Sequence, residues 1–99
     1  MYGLKYMMIE FDNADVDEPF RVYLELDQNG TLLLRKVESY RAGLQEIYRN
    51  LNTPVNVYEL AGEDGEVLNI TASQFENIWS MAHEMSGGIM GTSDFFGLG

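Results

Sequence analysis

Hydrophobic and polar positions along the chain change period near residue 70. Before it, short apolar runs alternate with turn residues. Leu4 to Phe11, rich in Tyr, Met, Ile and Phe, suits a largely buried strand. From Phe20 to Asp27 the alternation is clean. Phe20, Val22, Leu24 and Leu26 fall on one side, and Arg21, Tyr23, Glu25 and Asp27 on the other. Gln28-Asn29-Gly30 supplies a hairpin turn, since Asn-Gly readily takes positive φ. A long strand follows from Thr31 to about Tyr40, closed by the turn signal Arg41-Ala42-Gly43. Leu44, Ile47, Tyr48 and Leu51 fit helical spacing, yet the Gly43 turn favours continuing the meander, so strand is the preferred reading of 44–49. Val55 to Ala61 and Glu66 to Ile70 read as two short strands around the turn Gly62-Glu63-Asp64-Gly65.

The spacing predicts a helix from about Thr71. Thr71 and Gln74 stand as a capping box, and Ile70 and Phe75 as a hydrophobic staple. Phe75, Ile78, Trp79, Ala82 and Met85 form one apolar stripe, and Gly87-Gly88 is the expected stop. The expected fold class is therefore α+β: an antiparallel sheet of about 4–6 strands with one C-terminal helix packed on one face. Phe20, Val22, Leu24, Leu26 and the helix stripe would form most of the core. Residues 1–86 make one domain, and 87–99 a glycine-rich tail carrying Phe95, Phe96 and Leu98.

Charge adds the first functional constraint. Sixteen acids against six bases leave a net charge of −10, which argues against binding nucleic acid or anionic membrane. From Asn50 onward there are seven acids and no Lys or Arg, and Glu10 to Asp27 holds seven acids against Arg21 alone. The plain reading is solvated surface. The sharper one is an interface for a basic partner, because such a field steers association. With no cysteine, disulfides, thiol catalysis and thiolate metal sites are excluded, and a reducing, cytoplasmic location is favoured. The N-terminus lacks the charged start and clean apolar run of a signal peptide, and no apolar run approaches the ~20 residues that span a bilayer.

Candidate chemistry is sparse. Asn13, Asp15 and Asp17 imitate the start of a calcium loop, but Glu18 stands where the turn needs glycine, and Leu24 where the last ligand should be Glu. His83 is the one histidine, which leaves no ligand set or nucleophile–base pair to build around it. Glu63 and Asp64 would repel a phosphate from the glycine turn. Arg35 and Lys36, adjacent on a strand, face opposite sides and are expected to pair with neighbouring carboxylates such as Glu25 or Glu38. No catalytic residue, cofactor or metal is expected.

A longer pattern is also present. Asp17-Glu18-Pro19, Tyr23-Leu24-Glu25-Leu26-Asp27, Gly30, Leu34-Arg35-Lys36-Val37-Glu38, Tyr40-Arg41, Gly43, Ile70-Thr71 and Phe75-Glu76-Asn77-Ile78-Trp79 together resemble a small bacterial domain family of unknown function. The likeness covers roughly residues 4–84. This chain is shorter than that pattern between Gly43 and Ile70, so nothing is carried over there. The resemblance implies a fold and brings no catalytic residues. By size, charge and want of chemistry, the chain also looks like the immunity proteins of bacterial toxin systems, which bind and neutralise a cognate toxin domain.

The resulting expectation is an immunity or antitoxin-like protein that occludes the active site of a basic toxin domain and is not itself an enzyme. The alternative is a phage anti-defence protein mimicking nucleic-acid charge. The steering contacts are expected at Asp12, Asp15, Asp17 and Glu18 in the first loop and at Glu63, Asp64 and Glu66 in the later turn. Tyr23 or Tyr58 would be the aromatic anchor. The partner is thus the toxin domain, without direct nucleic-acid or membrane binding, and self-association is left open.

Overall fold

The computed structural model describes residues 3–90, with side chains as far as Ala82. Its elements are β1 (Lys5–Phe11), β2 (Pro19–Leu26), β3 (Leu32–Tyr40), β4 (Gln45–Tyr48), β5 (Thr53–Pro54), α1 (Val57–Ala61), β6 (Gly65–Asn69) and α2 (Ala72–Met90). All strand pairs are antiparallel. The six-stranded sheet has the order β4-β3-β2-β1-β6, and β5 adds to β3. The α+β architecture and the C-terminal helix on the sheet are as expected, and segment 44–49 contains a strand.

Two local expectations fail. Val55–Ala61 is not a strand: α1 starts at Val57 because the Asn56 side chain accepts from the amides of Tyr58 and Glu59 at 3.1 and 3.2 Å. An N-cap satisfies amides that a nascent helix leaves open, and here it outweighs the β-propensity of Val55, Val57 and Tyr58. Nor does α2 stop at Gly87-Gly88; its backbone continues to Met90. The tail from residue 91 lies outside the described residues, as do the side chains of His83 and Met85.

The largest correction concerns the core. The sheet is covered on both faces, so the apolar side of β2 and the stripe of α2 do not meet. Val22, Leu24 and Leu26 pack with Ile9, Leu33, Val57 and Ala61 on the α1 side. Phe75 and Ala82 of α2 pack with Tyr23 and Val37 on the other, flanked by Tyr6, Met8, Ile47, Ile78 and Trp79. Phe20 joins neither cluster, because an irregularity between Pro19 and Arg21 takes it out of the alternation. It lies half-buried beneath the guanidinium groups of Arg21 and Arg41, each 5.2 Å from its ring.

A second irregularity sets the parity of β3. Leu26 pairs with Leu33, but Glu25 pairs with Arg35, leaving Leu34 as the extra residue. Leu33 thereby faces the α1 side, and Arg35 and Val37 face α2. The Leu34 carbonyl accepts from the Leu51 amide at 3.1 Å, fixing the segment that leads into α1.

The start of α2 is as the sequence suggests. The Thr71 amide donates to Gln74 Oε1 at 2.8 Å, and the Gln74 amide donates to Thr71 Oγ1 at 3.0 Å. Ile70 packs beside the fully buried Phe75. Thr71→Ala should cost about 1 kcal/mol of stability, the usual value of an N-cap. Chemical denaturation of the single and Thr71→Ala/Gln74→Ala variants checks it, with the second substitution adding less than it does alone because the two bonds are reciprocal.

Candidate functional site

One end of the sheet gathers most of the acids singled out above. Because β1 runs antiparallel to both β2 and β6, with Phe11 opposite Gly65, the β1–β2 loop and the α1–β6 turn emerge side by side. The β3–β4 turn joins them: Arg41 Nη2 donates to the Asp12 carbonyl at 2.8 Å, and its Nε to that of Ala14 at 3.4 Å. The Asp12–Glu18 loop is also tied within itself. The Asp15 amide donates to Glu18 Oε1 at 3.0 Å, and the Glu18 amide to the Asp15 carbonyl at 3.0 Å. The loop is thus held in shape by Glu18 and Arg41, while Asp12, Asp15 and Asp17 remain exposed.

Between this loop and the α1–β6 turn lies a groove of about 360 Å³. Phe11, Ala14, Pro19 and Ala61 give it apolar walls, and Glu18, Glu63 and Asp64 contribute three carboxylates. Two of its lining residues, Phe11 and Ala61, are set by the close approach of β6. A Cβ built on Gly65 would stand 2.6 Å from the Ala61 carbonyl oxygen, 2.8 Å from Phe11 Cε1 and 2.9 Å from Ile9 Cγ2. Only glycine lets β1, α1 and β6 meet there.

The expected contacts divide accordingly. Asp12, Asp15, Asp17, Glu18, Glu63 and Asp64 are all exposed and all at this end. Glu66 is close by on β6, opposite Glu10 of β1, whose carboxylate pairs with Arg21 at 3.0 Å. The two tyrosines do not join them. Tyr23 is 7% exposed and packed under α2, so it cannot anchor a partner; the alternation that placed it outward ignored the second covered face. Tyr58 is exposed but sits at the opposite end, in a second groove with Lys5, Asn29 and Thr31. The residue that sequence reasoning missed is Val16, 72% exposed between Asp15 and Asp17. Its signal was a single β-branched apolar residue inside an otherwise acidic loop.

A second polar assembly lies under α2. Arg35 holds Glu25 through two bonds, Nε to Oε1 at 2.6 Å and Nη2 to Oε2 at 2.7 Å, and reaches Glu76 at 2.5 Å. Its guanidinium lies 5.0 Å from the Phe75 ring centroid and 4.6 Å from that of Trp79. The Tyr6 hydroxyl donates to Glu25 Oε2 at 3.0 Å. Glu25, Arg35, Phe75, Glu76 and Trp79, which belong to three separated parts of the sequence pattern, therefore converge on one contact that fastens α2 to the sheet. The Arg35 hydrogen bonds hold the Glu25 carboxyl below its ordinary value despite burial. Burial first, and then Glu25, push the Tyr6 phenol up. These mutual bonds and ring contacts suit a fastening between helix and sheet.

On the α1 side, Tyr40 and Tyr48 donate to Glu38 and Glu46, and Lys36 pairs with Glu38 at 3.1 Å. Burial and the Glu38 bond raise Tyr40 to about 12. The pairings of Arg35 with Glu25 and of Lys36 with Glu38 are those expected from the sequence. Among the described residues, no group of three or more His, Cys, Asp or Glu side chains could hold a metal ion, and no helix is long and apolar enough to cross a membrane. No family model, curated protein or solved structure matches this chain.

Proposed function

We propose that this chain is an immunity protein, acting in the cytoplasm, that binds a basic toxin domain through the acidic end of its sheet and blocks the toxin's active site by occlusion. The observation that carries this reading is the convergence of two acidic segments, residues 12–18 and 63–64, on one preshaped end of the sheet with Val16 exposed among them. A one-signed field accelerates capture of an oppositely charged cleft, and a loop already fixed by Arg41 and Glu18 loses little freedom on docking. Val16 supplies the exposed apolar contact at this end that neither tyrosine provides, and its burial against the partner would slow dissociation.

The test is co-expression with the C-terminal domain of the adjacent reading frame's product as bait, scored by rescue of growth from its toxicity, together with association kinetics on the purified pair. Asp15→Lys/Asp17→Lys should slow association by about tenfold at low salt and flatten its salt dependence. Val16→Asp should act mainly on dissociation. Absence of both rescue and binding would overturn the reading. Recovery of a nucleic-acid-handling complex on the same face would replace it with charge mimicry.

A further inference from the structure

We infer that the groove between the β1–β2 loop and the α1–β6 turn is a socket for one long cationic side chain, a lysine or arginine, presented by the partner. This rests on the immunity reading and names what the acidic end grips. The groove makes two demands on an occupant. Its walls at Phe11, Ala14, Pro19 and Ala61 are apolar and favour a hydrocarbon stem. Its rim carries Glu63 and Asp64 together with Glu18, one oxygen of which already accepts from the Asp15 amide, and no base lines it. Arg41, which reaches this end from the β3–β4 turn, is committed to the Asp12 and Ala14 carbonyls.

A purely apolar occupant would cover carboxylates without giving them a partner. An anion would be repelled, and a small inorganic cation would leave the apolar walls in water. Lysine and arginine meet both demands, because their methylene stems lie along apolar surface while the head stays with the charges.

The experiment is an amide-shift titration of the full-length, isotope-labelled chain by NMR with N-acetyl-arginine amide and N-acetyl-lysine amide, using N-acetyl-norleucine amide as the uncharged control. Saturable shifts confined to the amides of Phe11, Ala14, Ala61 and Gly62, with affinity on the order of millimolar for so small a probe, are expected from at least one cationic probe. Norleucine amide should bind at least fivefold more weakly. Ala14→Leu fills the groove without altering charge and should abolish those shifts. Glu63→Gln/Asp64→Asn, which leaves the apolar walls intact, should weaken them about fivefold or more. Shifts spread evenly over every acidic loop, equal binding of norleucine amide, or binding untouched by both variants would each overturn the inference. If the cationic probes fail while the whole toxin domain is still neutralised, the socket is wrong and the immunity reading stands. Failure of both removes the reading itself.

Discussion

Arg35→Ala is expected to cost about 3 kcal/mol of folding stability. The Arg35 and Glu25 side chains are only 23% and 8% exposed. Removing one partner of a buried pair costs about 3–5 kcal/mol because the other charge stays behind uncompensated, and the residual exposure of Arg35 places the effect at the lower end. Its stacking over Phe75 and Trp79 goes as well, so Arg35→Lys, a point charge without a planar fork, should rescue only part. Glu76→Gln should cost under about 1 kcal/mol, since Glu76 is half exposed. Denaturant titration of the three variants gives the ranking. A loss below about 1 kcal/mol for Arg35→Ala would show that the pair behaves as surface charge.

The same pair sets a pH signature. Arg35 holds folded Glu25 below the ordinary glutamate value of 4.5. A carboxyl depressed in the folded state contributes stability that is complete above pH 4.5 and is lost as pH falls through its lower folded value. In Arg35→Ala the larger remaining influence is burial, which pushes the carboxyl up against the smaller downward pull of the Tyr6 hydrogen bond. The sign then reverses: the variant's deficit is greatest at neutral pH and shrinks as acid neutralises Glu25. Melting curves across pH 3–7, a range chosen to bracket about 4.5, should therefore converge on the acid side.

Gly65→Ala is expected to cost about 2–3 kcal/mol, near the upper end for overpacking. The added methyl would meet a backbone oxygen at 2.6 Å, and backbone cannot step aside as a flexible side chain does. Because the colliding groups are α1's last carbonyl and the β1 side chains Phe11 and Ile9, relief requires β6 or α1 to move, and the groove widens with it. Denaturation should report the stability loss and, on the proposed function, growth rescue should report a weaker neutralisation. Full stability together with full rescue would show that this contact yields freely.

How much of this was legible in the sequence depends on the range of the interaction. The Thr71–Gln74 box, the Asn-Gly hairpin and the two strand ion pairs are local or cross-strand features, and residue spacing alone exposes them. Tyr23 was misplaced because alternation tells which residues share a side but not whether the opposite side is also covered. The Asn56 cap carried a helix signal that the β-branched neighbours obscured. Leu34 carried none, since a bulge residue is identified only by the partner strand's register. The candidate site was half visible: its acids stood out by composition, whereas their union at one end follows from β1 pairing with β6, which no local pattern encodes.

That pairing also orders events in time. Strands β1 to β4 form a meander of consecutive hairpins whose ends need close only short loops, while β6 must return to β1 after the whole meander and α1 have been traversed. Contacts between distant parts of a chain form late because loop-closure entropy has to be met first. The acidic end is thus expected to be assembled in the last stage of folding, so that until β6 docks on β1 the two acidic segments stay apart and the groove between them is unformed.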